Sequence, residues 1–168
     1  FERQEIKHAL AYLRLLGNPD DDTASLRVVN FPTRGIGARS LETLQDTARG
    51  QGASLWQAAC SGAVGGKAGT ALAAFVRLVD SMRAATAGLP LPESVAHVLT
   101  ASGLLAHYRA EKDGEDRLDN LEELVSAADG FLREADLAVD APIALGDAAG
   151  DPAAEGAVDP LAAFLAHA

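Results

Sequence analysis

Cysteine is nearly absent from this sequence: Cys60 stands alone among 168 residues. An internal disulfide is therefore excluded, and the usage fits a reducing cytoplasm. Cys60 lies beside Trp56 in a short apolar segment with no base to activate it, so it reads as a buried structural thiol. Aromatic residues are also scarce, at 5%, while apolar residues reach 48%. Such a chain can fill a core, and its many alanines point to closely packed helices rather than a β-sandwich. Long apolar runs are missing, so nothing here spans a membrane. No signal peptide opens the chain, because Phe1-Glu2-Arg3-Gln4-Glu5 has neither an initiator Met nor an apolar core. That start, and an end in mid-pattern at Phe164-Leu165-Ala166-His167-Ala168, read as a piece of a longer protein.

Positive charge is in short supply. The formal net charge is −10, which by itself argues against nucleic acid. The distribution says otherwise. Seven acids and no base lie between Glu134 and Asp159, and without them the charge is −3. Between Thr23 and Arg39 stand three arginines (Arg27, Arg34, Arg39) and no acid. A local basic patch binds phosphate even on an acidic molecule.

Catalytic patterns are missing too. Gly65-Gly66-Lys67 faintly resembles a Walker A loop, but that motif needs Gly at the position of Ser61 and Ser or Thr at the position of Ala68. The four histidines (His8, His97, His107, His167) have no Cys or His at ligand spacing, so no metal site is expected. Glu122-Glu123 and Asp20-Asp21-Asp22 are adjacent carboxylates, which diverge on a helix and form no acid/base couple. No catalytic residue is assigned.

What is present is helical periodicity. Helices are predicted over Glu2–Leu16, from Asp20 to before Pro32, over Ala38–Arg49, and from a Ser54 N-cap through Ala59. Others follow over Ala68–Ala87, Glu93–Ala101, Leu104–Lys112 and Arg117–Glu134. A last one starts at Pro160 behind an Asp159 cap. The first carries a one-sided stripe of Ile6, Leu10 and Leu13. Residues 136–158 are rich in Ala, Gly, Asp and Pro, with too little apolar surface to offset ordering entropy. The expected organisation is all-α: a compact helical unit over 1–135, a flexible acidic loop over 136–158, and a C-terminal helix over 159–168.

Between two of these helices lies Pro32-Thr33-Arg34-Gly35-Ile36-Gly37-Ala38-Arg39-Ser40. Two glycines one residue apart allow a sharp turn with exposed N–H groups. A helix starting behind it adds free N–H groups and the positive end of a dipole. Arg34 and Arg39 add charge-assisted contacts, and the whole reads as a phosphate clamp. Ser40 is placed either to cap the third helix or to reach a phosphate. Asp20 to Asp22 either cap the second helix or hold this unit against another. Arg117, Asn120 and Glu123, near one helix face, form either an internal hydrogen-bond network or a partner site.

Several segments carry a resemblance. They are Phe1-Glu2-Arg3-Gln4-Glu5-Ile6-Lys7 with Ala9 to Leu15, Arg27-Val28-Val29-Asn30, Pro32 to Gly37, Leu55-Trp56-Gln57-Ala58, Arg117 to Leu124, and Asp159 to Leu165. In this order they resemble the 2B subdomain of the UvrD/PcrA/Rep helicases of superfamily 1, an all-helical insertion in the second motor domain. The resemblance implies a bacterial, cytoplasmic, nucleoid-associated parent that unwinds DNA 3′ to 5′ in repair, using ATP and Mg bound outside this piece. The fragment itself would be no enzyme and hold no cofactor. The resemblance also implies that the Gly35-Ile36-Gly37 turn contacts duplex backbone in a helix-hairpin-helix-like manner. Thr33, Arg34, Arg39, Ser40 and Lys7 would stand beside it, with Ile36 either wedged between strands or anchored in the core. Asp21 and Asp22 become candidates for interdomain regulation. The partners implied are duplex DNA, without sequence preference, and the remaining helicase subdomains. Three or four engaged phosphates would give a log K against log salt slope of roughly −3. An alternative is a protein-interaction module that recruits repair or transcription proteins.

Overall fold

The computed structural model describes residues 3–140 and 159–168, and among them every regular element is an α-helix. In chain order these are α1 (Gln4–Gly17), α2 (Asp22–Val28), α3 (Ala38–Gln51), α4 (Leu55–Cys60), α5 (Gly66–Thr86), α6 (Leu91–Ala101), α7 (Leu104–Ala110), α8 (Glu115–Asp140) and α9 (Pro160–His167). None is long and apolar enough to cross a membrane.

Helix starts follow local chemistry. Asp21 caps α2 by accepting the Ala24 N–H at 3.1 Å. Ser54 and Gln57 form a reciprocal capping box on α4, which satisfies two N–H groups that a helix start leaves free. Asp159 caps α9 through the Leu161 N–H, with Pro160 in the first helical position.

The core is organised around α1, which packs against α2, α5, α6, α8 and α9. The expected one-sided stripe is therefore too narrow. Ten α1 residues are buried, including Glu5, His8 and Tyr12, as suits a helix surrounded on most sides. Two of its buried polar side chains meet other elements, although His8 Nδ1 has no hydrogen-bond partner among the described residues. Asn120 donates to the Glu5 carboxylate at 2.7 Å, which joins α8 to α1. His8 stacks on Phe31 with ring centroids 3.8 Å apart. From α8, Leu121, Leu124 and Ala128 enter the core. Phe131 meets Phe164 edge-on at 5.7 Å and ties down α9.

Two further expectations change. Cys60 is exposed, because it ends a one-and-a-half-turn helix whose buried positions are Leu55 and Ala58. Burial of part of the thiol pushes its pKa up, with Asp80 and Asp20 adding to the effect. The last long helix does not stop at Glu134 but runs to Asp140, so the first five residues of the segment expected as loop are helical. Alanine and leucine there are strong helix formers, and composition alone undervalued them. The rest of that segment, residues 141–158, lies outside the described residues.

Candidate nucleic-acid interface

The Gly-Ile-Gly turn is built from its buried side outward. Asn30 starts it: its Oδ1 accepts the N–H groups of Arg34 at 2.8 Å and Ile36 at 3.1 Å. Short amide side chains commonly organise turns in this way. Ile36 is 1% exposed, so it anchors the turn in the core and is not available to wedge between strands. Gly35 has φ +82°, where any residue with a Cβ is strained. Gly37 has φ −81° and ψ 172° and is the N-cap of α3, with no side chain capping that helix. Ser40 lies inside the first turn of α3 and is not its cap.

Gly35, Gly37, Ala38 and Arg39 are exposed, as is Thr33. The N–H groups of Ala38, Arg39 and Ser40 fall in the first turn of α3, where no intrahelical partner exists. Among the described residues, no side chain accepts them. The surface is therefore a row of backbone donors at the positive end of a fourteen-residue helix, with the Arg39 side chain beside it. That arrangement suits an anion.

Arg34 is not part of that surface. Its guanidinium turns inward: Nη1 donates to the carbonyls of Val28 (2.8 Å), Val29 (3.2 Å) and Phe31 (3.2 Å). Nη2 donates to the Tyr12 hydroxyl at 2.6 Å and to the Ser102 carbonyl at 3.4 Å. The same group lies over the Phe75 ring at 5.2 Å. Tyr12 in turn hydrogen-bonds to the Phe31 carbonyl. Burial pushes the Tyr12 pKa up, and the neighbouring Arg34 charge opposes that rise. The predicted phosphate ligand is thus a bolt joining α1, the end of α2, the end of α6 and the turn. The sequence could not separate Arg34 from Arg39, since both flank the glycines.

Phe31 completes the seat. Besides His8 it meets the His107 ring edge-on at 4.8 Å, and the Phe31–Pro32 peptide is cis. Burial, then the positive fields of Arg27 and His107, hold the His8 pKa below its usual value, with Glu5 opposing them. The folded state therefore favours neutral His8. Its contribution to stability is complete above the unfolded pKa of about 6.5 and is lost as pH falls through the lower folded value. The unfolding free energy from urea titrations should thus decline as pH drops from about 7 towards 5.5, by up to about 1.4 kcal/mol per pH unit. A His8→Gln chain should show a flatter profile; an unchanged slope in that variant would refute the assignment.

The remaining predicted residues lie elsewhere. Lys7 lines a groove between α1 and α2 with Arg14 and Arg27, and no turn residue contributes to that lining. Asp21 is the α2 cap, and Asp22 accepts the Leu55 N–H at 2.9 Å across to α4. Asp20 meets the Ser54 hydroxyl. Asp20 and Asp22 thus fasten the start of α2 to the start of α4, while Asp21 caps α2 itself. Arg117 pairs with Glu111 at 3.4 Å and lies over Tyr108. With the Asn120–Glu5 bond, this makes two members of the expected internal network; Glu123 is exposed. The residues Asn30, Tyr12 and Phe31 were missed as parts of the site. Only Asn30 had a local signal, as a turn-forming amide four residues before Arg34.

The Gly65-Gly66-Lys67 stretch does not fit a nucleotide phosphate loop. Ser61 and Ala68 occupy the positions where a phosphate loop needs Gly and a hydroxyl residue. No group of three His, Cys, Asp or Glu side chains among the described residues could hold a metal.

Comparison with known proteins agrees with the resemblance. A family model described as "UvrD-like helicase C-terminal domain" matches residues 1–61. DNA helicase II of Escherichia coli K12 is 47% identical over 137 residues, covering 78% of this chain and 19% of that protein. Its Haemophilus influenzae counterpart is 47% identical over 139 residues, covering 79% of this chain and 19% of the protein. ATP-dependent DNA helicase PcrA of Bacillus subtilis is 35% identical over 141 residues, covering 81% of this chain and 19% of the protein. The chain spans about a fifth of the length of these curated relatives. With an all-α fold and matches that cover most of its length, the chain belongs to the UvrD/PcrA-type helicase family, as a segment of it.

Proposed function

We propose that this chain is the 2B subdomain of an ATP-dependent 3′ to 5′ DNA helicase and grips duplex backbone through the Gly35-Ile36-Gly37 turn. ATP, Mg and the motor chemistry belong to the rest of such a protein. This unit supplies a handle on the duplex, and its movement on the motor regulates unwinding. The observation that supports the reading is the uncapped start of α3 behind an exposed glycine turn that Arg34, Asn30 and Ile36 hold from beneath. Backbone donors and Arg39 meet phosphate oxygens without touching bases, so the grip is independent of sequence.

Because Arg34 is committed to the interior, the turn engages fewer phosphates than its two flanking arginines imply. Titration of a fluorescent duplex at rising salt should give a log K against log salt slope of about −2 or steeper. Two duplexes of unrelated sequence should behave alike. A flat salt response, or no binding at low salt, would rule out the grip.

A further inference from the structure

Phe31 is held by its ring and by its backbone. The ring stacks face to face on His8 of α1, with centroids 3.8 Å apart and planes 7° apart. The His107 ring of α7 meets it edge-on at 4.8 Å. The Phe31 carbonyl accepts Arg34 Nη1 at 3.2 Å and the Tyr12 hydroxyl. The Arg34 N–H is bonded in turn to Asn30, whose Oδ1 also takes the Ile36 N–H. One aromatic residue thus joins two histidines to the bonds that shape the glycine turn.

His8 is 6% exposed, and its Nδ1 has no hydrogen-bond partner among the described residues. An imidazolium carries an N–H on both nitrogens, and a buried charged donor without an acceptor is costly. The face of Phe31 attracts a cation, but the surrounding fields oppose one. Arg27 of α2 and protonated His107 of α7 repel a charge on His8, and only Glu5 of α1 favours it. Glu5 already accepts from Asn120 of α8. His107 is paired with Glu111, which Arg117 of α8 also holds. Among the described residues, α5, α6 and α9 bring no charge that acts on His8.

We propose that the His8–Phe31–His107 stack is a proton-operated latch on the glycine turn: with His8 neutral the turn is held ready for duplex backbone, and with His8 protonated the stack parts and the turn lets go. Burial and the neighbouring cations hold the His8 pKa below its usual value. The latch is therefore closed above about pH 6.5 and opens as pH falls through the lower folded value. The direction separates this device from a plain basic surface. On such a surface added protons strengthen the hold on phosphate; here they weaken it.

This inference rests on the proposed function, and two readouts keep the two apart. The first is anisotropy of a fluorescent duplex at fixed salt, from about pH 7.5 to about 5.5, with circular dichroism checking that the helices persist. Affinity should fall by about threefold or more, approaching about tenfold per pH unit below the folded value. His8→Phe and His8→Gln should abolish the fall, since neither side chain titrates. His107→Gln should move the midpoint to higher pH, because one opposing cation is gone; a purely structural role would leave the midpoint in place. His97→Gln, outside the stack, should leave the fall unchanged.

The second readout needs no DNA. In proton–nitrogen correlation spectra the Gly35 and Ile36 amide signals should shift with the same midpoint as the His8 ring protons. A measurable affinity that stays level or rises on acidification overturns the latch, as does a fall that survives in both His8 variants. Amide signals indifferent to the His8 titration overturn it too and leave the turn reading intact. Amides that follow His8 in a chain that binds no duplex at any pH uphold the latch and end the grip reading instead.

Discussion

Arg34→Met is expected to destabilise the chain by about 2–4 kcal/mol, among the larger effects a single substitution produces. The guanidinium donates to four carbonyls and to the Tyr12 hydroxyl. Methionine fills the volume beside Phe75 but offers no donor. The Val29 carbonyl then has no partner among the described residues, whereas Tyr12 still bonds those of Val28 and Phe31, and a buried acceptor left unpaired costs about 1–3 kcal/mol. For a chain of this size the thermal midpoint should fall by roughly 10 °C. Arg34→Lys should recover little, because an ammonium cannot reproduce a planar fork that reaches several acceptors at once. Thermal melts followed by circular dichroism decide the matter. A midpoint within about 2 °C of the unmodified chain would show that Arg34 faces solvent after all.

The second large effect falls on binding, and stability moves the other way. Gly37→Asp places a carboxylate at the N-cap of α3. Its backbone angles are ordinary for any residue, and a Cβ there meets nothing within 4 Å. Aspartate is a better cap than glycine by a few tenths of a kcal/mol, so the folded state should gain slightly. The same carboxylate takes the N–H groups that a phosphate would use and repels the phosphate itself. Duplex affinity at low salt should drop by about a hundredfold or more, equivalent to about 2.7 kcal/mol. A raised or equal midpoint with lost binding separates contact from folding. Undiminished affinity would remove the turn from the interface. Gly35→Asp is a poorer probe, since φ +82° adds strain of its own.

Helix positions were legible in the sequence because their causes are local. Ser54 and Gln57 cap α4 three residues apart, and Asp159 with Pro160 starts α9; both are read without knowing the fold. The turn was legible for the same reason. What escaped was direction. Arg34 and Arg39 look equivalent along the chain, and only Tyr12, twenty-two positions away, decides that one points inward. Asp22 likewise looks like a helix-start carboxylate until Leu55 arrives beside it. The burial of α1 on most of its surface was hidden because Glu5 and His8 are polar. Their partners, Asn120 and Phe31, lie on other elements.

The position of α1 has a consequence for synthesis. It leaves the ribosome ahead of α2 to α9, yet its neighbours include α8 and α9. Part of its apolar surface therefore stays uncovered, after α2, α5 and α6 have formed, until residues beyond Pro160 have been made. Pairings over such separations carry the loop-closure cost that slows folding. A nascent chain halted before α9 holds an incomplete seat for α1, the condition in which exposed apolar surface invites chaperones or aggregation.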